Sequence, residues 1–176
     1  IDCDAVEGND YISGIERISF GVTTSGSSLN QVLALDVGAG ETAGQAYRLY
    51  QAAFARTPDN PGVAYHVNDI ESNGLTLHQV AQNFLASQEF INKYGSNLSD
   101  KDYVNALYQN VLGRTGVDSE INFYLDNFAR EITDPGYMDR GSALIGFSES
   151  PENIMLVASQ VENGIMFFWD AILFED

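Results

Sequence analysis

Positive charge is scarce in this chain: 8 Lys and Arg stand against 25 Asp and Glu, a formal net charge of -17. A surface of that sign repels phosphate backbones and no basic cluster offsets it, so nucleic acid is excluded as an expected partner. Cysteine is nearly absent. Cys3 alone cannot close an intrachain disulfide, and no histidine lies near it in sequence. The only two histidines, His66 and His78, stand twelve residues apart with no Cys and no His-Glu-x-x-His context, which excludes an expected zinc site. No apolar run approaches the roughly 20 residues of a membrane span. Residues 165–174 come nearest, and Asp170 interrupts them. Nucleophile-elbow, phosphate-loop and dinucleotide motifs are also missing. The carboxylate pairs Asp100/Asp102 and Asp118/Glu120 fall at expected helix starts, where capping and the helix dipole account for them. The chain is expected not to be an enzyme.

What the chain does contain is a sentence written twice. Tyr47-Arg48-Leu49-Tyr50-Gln51-Ala52-Ala53-Phe54-Ala55-Arg56-Thr57 is answered 58 residues later by Asn105-Ala106-Leu107-Tyr108-Gln109-Asn110-Val111-Leu112-Gly113-Arg114-Thr115. Val63, Tyr65 and Val67 then match Ile121, Phe123 and Leu125 without a gap. After five extra residues in the second copy, Asn83-Phe84-Leu85-Ala86-Ser87-Gln88-Glu89 matches Gly146-Phe147-Ser148-Glu149-Ser150-Pro151-Glu152. Internal repetition on this scale predicts two copies of one supersecondary unit sharing a core.

The periodicity supplies the rest of the fold. Ile12, Ile15, Ile18, Phe20 and Val22 are interspersed with Ser, Gly and Arg, followed by a Gly/Ser/Thr-rich stretch to Asn30 and the apolar Val32–Val37. That predicts a β-hairpin with a long tip over residues 1–38. From Gly40 onward apolar residues recur at three- and four-residue steps, the period of helices. Asp59 or Asn60 with Pro61, Thr76, Ser99 with Asp102, and Ser150 with Pro151 mark helix starts. The fold class is therefore mainly α: an internally duplicated multi-helix domain over 39–176, with two similar four-helix units (about 43–95 and 101–158). An aromatic tail, 164–176, is expected to lie on a helix. An Ile at position 1 leads us to expect a processed chain or a piece of a longer one.

Three sets of residues are candidate sites. Arg56 and Arg114 occupy one place in both units, each followed by a turn bearing Asp59 or Asp118, so a shared role in locking the helix–turn–helix angle is expected. Asp2, Asp4, Glu7, Asn9 and Asp10 offer oxygen ligands of the kind calcium takes. Gly8-Asn9-Asp10-Tyr11-Ile12 also fits half of a calcium-binding nonapeptide repeat. Phe167, Phe168, Trp169 and Phe174 either close the helical body or dock a neighbour.

Together the Tyr47–Gly62, Asn83–Phe90, Leu107–Arg114 and Gly146–Asn153 segments resemble an uncharacterised bacterial domain family related to the phycobilisome linker domain. It is common in large secreted proteins with RTX-type calcium repeats, adhesins and surface-layer-like proteins. Tyr11–Phe20 and Leu33–Val37 are similar to what precedes the domain there, which makes residues 1–38 an RTX-like edge. Gly116-Val117-Asp118-Ser119-Glu120 departs from the family's usual Pro-Asp-x-x-Gly turn. The resemblance implies a helical fold and a role in holding assemblies together, outside the cell or at its surface. The expected function is thus a non-enzymatic structural or interaction module, with protein neighbours that include further copies of itself, and with calcium as a stabiliser. The alternative is a recognition domain for glycan or a surface receptor, as in an adhesin or virion component.

Overall fold

The structure, a computed structural model, describes residues 15–24 and 27–169. Two strands, β1 (Arg17–Thr24) and β2 (Ser27–Ala34), precede eight helices. These are α1 (Thr42–Phe54), α2 (Asn60–Glu71), α3 (Leu77–Ala86), α4 (Gln88–Tyr94), α5 (Asp100–Val111), α6 (Asp118–Phe128), α7 (Arg140–Ser148) and α8 (Pro151–Val161). A last strand, β3 (Ile165–Trp169), returns to the beginning of the chain. The order α1–α4 recurs as α5–α8, and the starts of equivalent helices differ by the same two offsets as the repeated sequence. No helix among the described residues is long and apolar enough to cross a membrane.

Helix starts follow local chemistry. Side chains of Asp59, Thr76, Ser87, Ser99, Asp139 and Ser150 each accept a backbone N–H from the first turn they precede, satisfying donors that a helix cannot pair by itself. Two helices do it differently. Glu41 at the start of α1 makes no such bond, and the buried Asp36 carboxylate takes Ala43 N instead, at 3.0 Å. Val117 has no acceptor, so Glu120 reaches back to Val117 N at 2.9 Å.

Helix α1 is the axis of the molecule, with ten of its thirteen residues buried. One side packs Leu49, Tyr50, Ala53 and Phe54 into a core shared with α3, α4, α5 and α7. The other packs Ala43, Ala46 and Tyr47 against Val63 and Val67 of α2, Val157 and Val161 of α8, and the sheet residues Val32, Ala34, Ile165 and Phe167. Small residues make this double packing feasible. A Cβ on Gly44 would lie 2.4 Å from the Val37 carbonyl oxygen, so the chain entering α1 can cross it closely only because Gly44 has none.

The sheet order is β1-β2-β3, with β2 central and antiparallel to both neighbours. Two expectations change here. The hairpin tip is not long, since β1 and β2 pair as far as Thr24 opposite Ser27. The tail is not helical: Ile165–Trp169 is a strand, so the end of the helical domain and the N-terminal hairpin form one sheet. A continuous apolar run reads equally as buried helix or as strand, and pairing with β2 decides it. Within the strand Phe167 is buried and Phe168 is exposed, the alternation of a pleated chain.

Candidate functional site

Arg56 and Arg114 follow the ends of α1 and α5 and build the same cluster twice. Each guanidinium lies 4.8 Å from a tyrosine ring centroid, Tyr50 in the first unit and Tyr108 in the second. Each also forms a two-pronged pair with a glutamate in the first turn of a unit's last helix. Arg56 Nε donates to Glu89 Oε1 at 2.8 Å and Nη2 to Oε2 at 3.3 Å. Arg114 Nε donates to Glu152 Oε1 at 2.8 Å and Nη2 to Oε2 at 3.2 Å. Fork-on-fork geometry fixes orientation as well as distance, so each Arg ties the turn after one helix to the start of another.

The second carboxylate differs. Arg56 Nη1 donates to Asp59 Oδ2 at 3.2 Å, and Arg56 also bonds the Tyr50 hydroxyl. Arg114 is not paired with Asp118. Its partner is Glu120, reached by Nη1 at 2.9 Å and Nη2 at 3.0 Å. The physical reason is the cap: Val117 cannot serve, so the glutamate three residues into α6 does both jobs. Hydrogen bonds from Arg114 and then from Val117 N hold the Glu120 carboxyl down at about 2. The Asp59 carboxyl is lowered too, chiefly by the Gly62 N–H, and bonding to Glu89 raises Arg56.

Arg48 has no counterpart, because Ala106 stands at the equivalent place in α5. Its side chain is 1 % exposed and makes four hydrogen bonds. Nε and Nη2 donate to Glu149 at 2.7 and 2.8 Å, Nη1 to Val37 O at 2.8 Å, and Nη2 also to Gly38 O at 2.9 Å. This one side chain joins the strand-to-helix segment, α1 and the α7–α8 corner. His78 makes another link between units, with Nε2 2.8 Å from Asp139 Oδ2, which Gln82 Nε2 also reaches at 2.8 Å.

The first unit also holds a cavity of about 430 Å³. Tyr50, Phe54, Tyr65, His66 and Phe84 give it aromatic walls, and Asp69, Asn83 and Glu89 give it polar ones. His66 stacks edge-on to Phe84 with centroids 4.2 Å apart, and its Nδ1 lies 3.2 Å from Asp69 Oδ2. Burial holds the imidazole below its usual range, more than the Asp69 carboxylate raises it. Such a His–Asp pair resembles half of a catalytic relay, but the neighbouring hydroxyls are committed. Ser87 Oγ donates to Phe84 O at 2.7 Å and accepts from Phe90 N at 3.2 Å. The Tyr50 hydroxyl is engaged by Arg56 and donates to Asp59 Oδ2 at 3.4 Å.

Of the candidate interface residues, Phe167 lies in the core, Phe168 on the outer face of the sheet, and Trp169 pairs its backbone with Asn30. Phe174 and the calcium candidates Asp2, Asp4, Glu7, Asn9 and Asp10 lie outside the described residues. Among those described, no group of three or more His, Cys, Asp or Glu could hold a metal ion. The sequence reading missed Glu89 and Glu152, although both stand in the repeated Ser-x-Glu that begins α4 and α8.

A duplicated helical body with one small sheet, its two units tied by Arg56, Arg114 and Arg48 to carboxylates of other helices and corners, defines the class of the fold. The profile of a family described as a domain of unknown function (DUF4214) matches residues 42–90 and 81–157, and the chain belongs to that family. The two overlapping matches take in α1 through the start of α4, and the middle of α3 through the middle of α8. No curated protein and no solved structure matches the chain.

Proposed function

We propose that this chain is a non-enzymatic structural and interaction module of a secreted or surface-displayed assembly, kin to the phycobilisome linker domain and used beside RTX-type calcium repeats. The observation that carries the reading is the outer face of the sheet. Register places Ile18, Leu33 and Met166 side by side on that face, and beside them Phe20, Gln31 and Phe168. Phe20 is 45 % exposed and Phe168 41 %. Antiparallel sheets that face water on one side carry polar residues there. Here the outer face instead carries Ile18, Phe20, Leu33, Met166 and Phe168 around the single polar Gln31, and β1 and β3 are both edges able to accept a further strand. A neighbouring protein packed on this face would bury the two phenylalanines.

The test is a photo-crosslinker, benzoylphenylalanine, placed at Phe168 or Phe20 in the cells that make the protein. Adducts with a neighbouring protein are expected from both positions and not from Asn92, which is exposed on α4. Adducts from none of them would overturn the reading. Calcium belongs to the same proposal as a staple on the acidic N-terminal residues: adding it should raise Tm, and an unchanged Tm on chelation would remove it.

A further inference from the structure

The cavity of the first unit plays no part in docking at the sheet, and its chemistry is specific. Its walls are rings, the faces of which are electron-rich and attract cations. Two carboxylates stand among them, and only one is matched by a cation. Glu89 is paired with Arg56. Asp69, 5 % exposed, has only the His66 ring, whose pKa burial lowers, and the Asn73 amide, whose Nδ2 donates to Oδ1 at 3.3 Å. No Lys or Arg lines the space. The Asn83 amide, on the rim, has no side-chain partner among the described residues.

The second unit makes the contrast. Tyr124 stands where His66 does, and its larger ring packs 5.1 Å from Phe147. Asn127 replaces Asp69, so the charge is gone. Glu120 replaces Gly62, so a long side chain occupies the position of a cavity-lining glycine. One fold thus carries two versions of this place: one in which Tyr124 and Glu120 stand and both carboxylates, Glu120 and Glu152, are held by Arg114, and an open, ring-walled one in which the Asp69 carboxylate meets no Lys or Arg.

We propose that this cavity binds the head of a small organic cation of the methylated or quaternary ammonium class. The rings receive the apolar methyl groups and the spread positive charge, and Asp69 supplies the counter-charge. Neither anionic nor purely aliphatic ligands would satisfy both. A hydrated sodium ion would have to shed water against rings, which a quaternary ammonium does not.

The experiment is an NMR titration of the intact chain with tetramethylammonium and with choline, against sodium chloride at equal ionic strength. Saturable shifts at Tyr65, His66 and Phe84 are expected at millimolar ligand and are absent with sodium. Asp69→Asn and His66→Tyr each install the residue the second unit already uses, and each should weaken binding by about tenfold or more. The same titration with methyl glycosides should give no saturable response. No saturation with either ammonium in the wild-type chain, or affinity unchanged in folded Asp69→Asn, would overturn the proposal. Saturation by a glycoside alone would also overturn it and assign the cavity to a neutral sugar. Because the wild-type titration decides by itself, a variant that fails to fold does not blunt the test.

Discussion

Helices α1 and α5 descend from one pattern and live in opposite surroundings. In α1 ten of thirteen residues are buried, whereas in α5 only Tyr103, Val104, Leu107 and Tyr108 are, out of twelve. Ala43, Gly44, Ala52 and Ala53 in α1 are answered by Lys101, Asp102, Asn110 and Val111 in α5. Leu49 and Leu107, kept in both, lie in the one core that the units share, and the kept Tyr50 and Tyr108 pack against rings of their own unit, Phe84 for the first and Tyr124 and Phe147 for the second. Duplication therefore supplied the frame. Divergence decided which copy was wrapped by sheet and neighbours and which stayed at the rim.

That contrast can be broken most severely at Arg48. Removing one partner of a buried, hydrogen-bonded ion pair leaves the other uncompensated, so Arg48→Ala should cost about 3–5 kcal/mol in denaturant unfolding. Arg48→Met combined with Glu149→Leu should recover much of that loss. A cost near zero for the single variant would mean that the link to the α7–α8 corner carries no stability.

A smaller effect is expected where α1 and α5 end. Ala55 has φ 48°, the left-handed conformation that glycine adopts at the equivalent Gly113, φ 65°. Gly113→Ala should lower stability by about 1 kcal/mol, and Ala55→Gly should raise it by up to about 1 kcal/mol. Changes of the same sign in thermal melts would mean that the two ends are not equivalent.

The pH dependence of the two units should differ as well. Burial depresses the His66 pKa, so the unfolded chain binds that proton more readily than the folded one. Its contribution is complete above the ordinary histidine value of about 6.5 and is lost as pH falls. His66→Tyr should flatten the Tm profile in that region; an unchanged slope would place its origin elsewhere.

The finest distinction lies in the two arginine clusters. Both Asp59 and Glu120 are depressed, so each adds stability above the ordinary carboxylate range that is lost as pH falls toward their folded values. Carboxyl NMR should find Glu120 titrating near 2 and moving up toward about 4.5 in Arg114→Gln, because Arg114 is its principal cause. Asp59 should move less in Arg56→Gln, since the Gly62 N–H is its principal cause.

Helices and their caps were legible in the sequence because both are local: a 3.6-residue period, and a Ser, Thr or Asp just before it. Arg56 and Arg114 were legible because repetition singled them out, but their glutamates lie 33 and 38 residues away, beyond any local rule. Arg48 was quoted in the repeat and given no role, since a lone Arg in a helix reads as solvated. Its only mark is that the second copy lacks it. The strand at Ile165–Trp169 hid because alternation shows only when one face is polar. The cavity hid because it is a difference between copies, His66 for Tyr124 and Gly62 for Glu120, rather than a motif.

The closing strand has a mechanical consequence. Since β1 and β3 both run antiparallel to β2, they run parallel to each other; Arg17 opens β1 opposite Ala34, and Trp169 lies opposite Asn30, farther along β2 in the other direction. Tension applied between Arg17 and Trp169 would pull along the strand axes, straining the bonds on both sides of β2 together rather than peeling them one at a time. Stretched in that direction, the domain should yield abruptly and at high force, behaving as a stiff rivet between whatever holds its two ends.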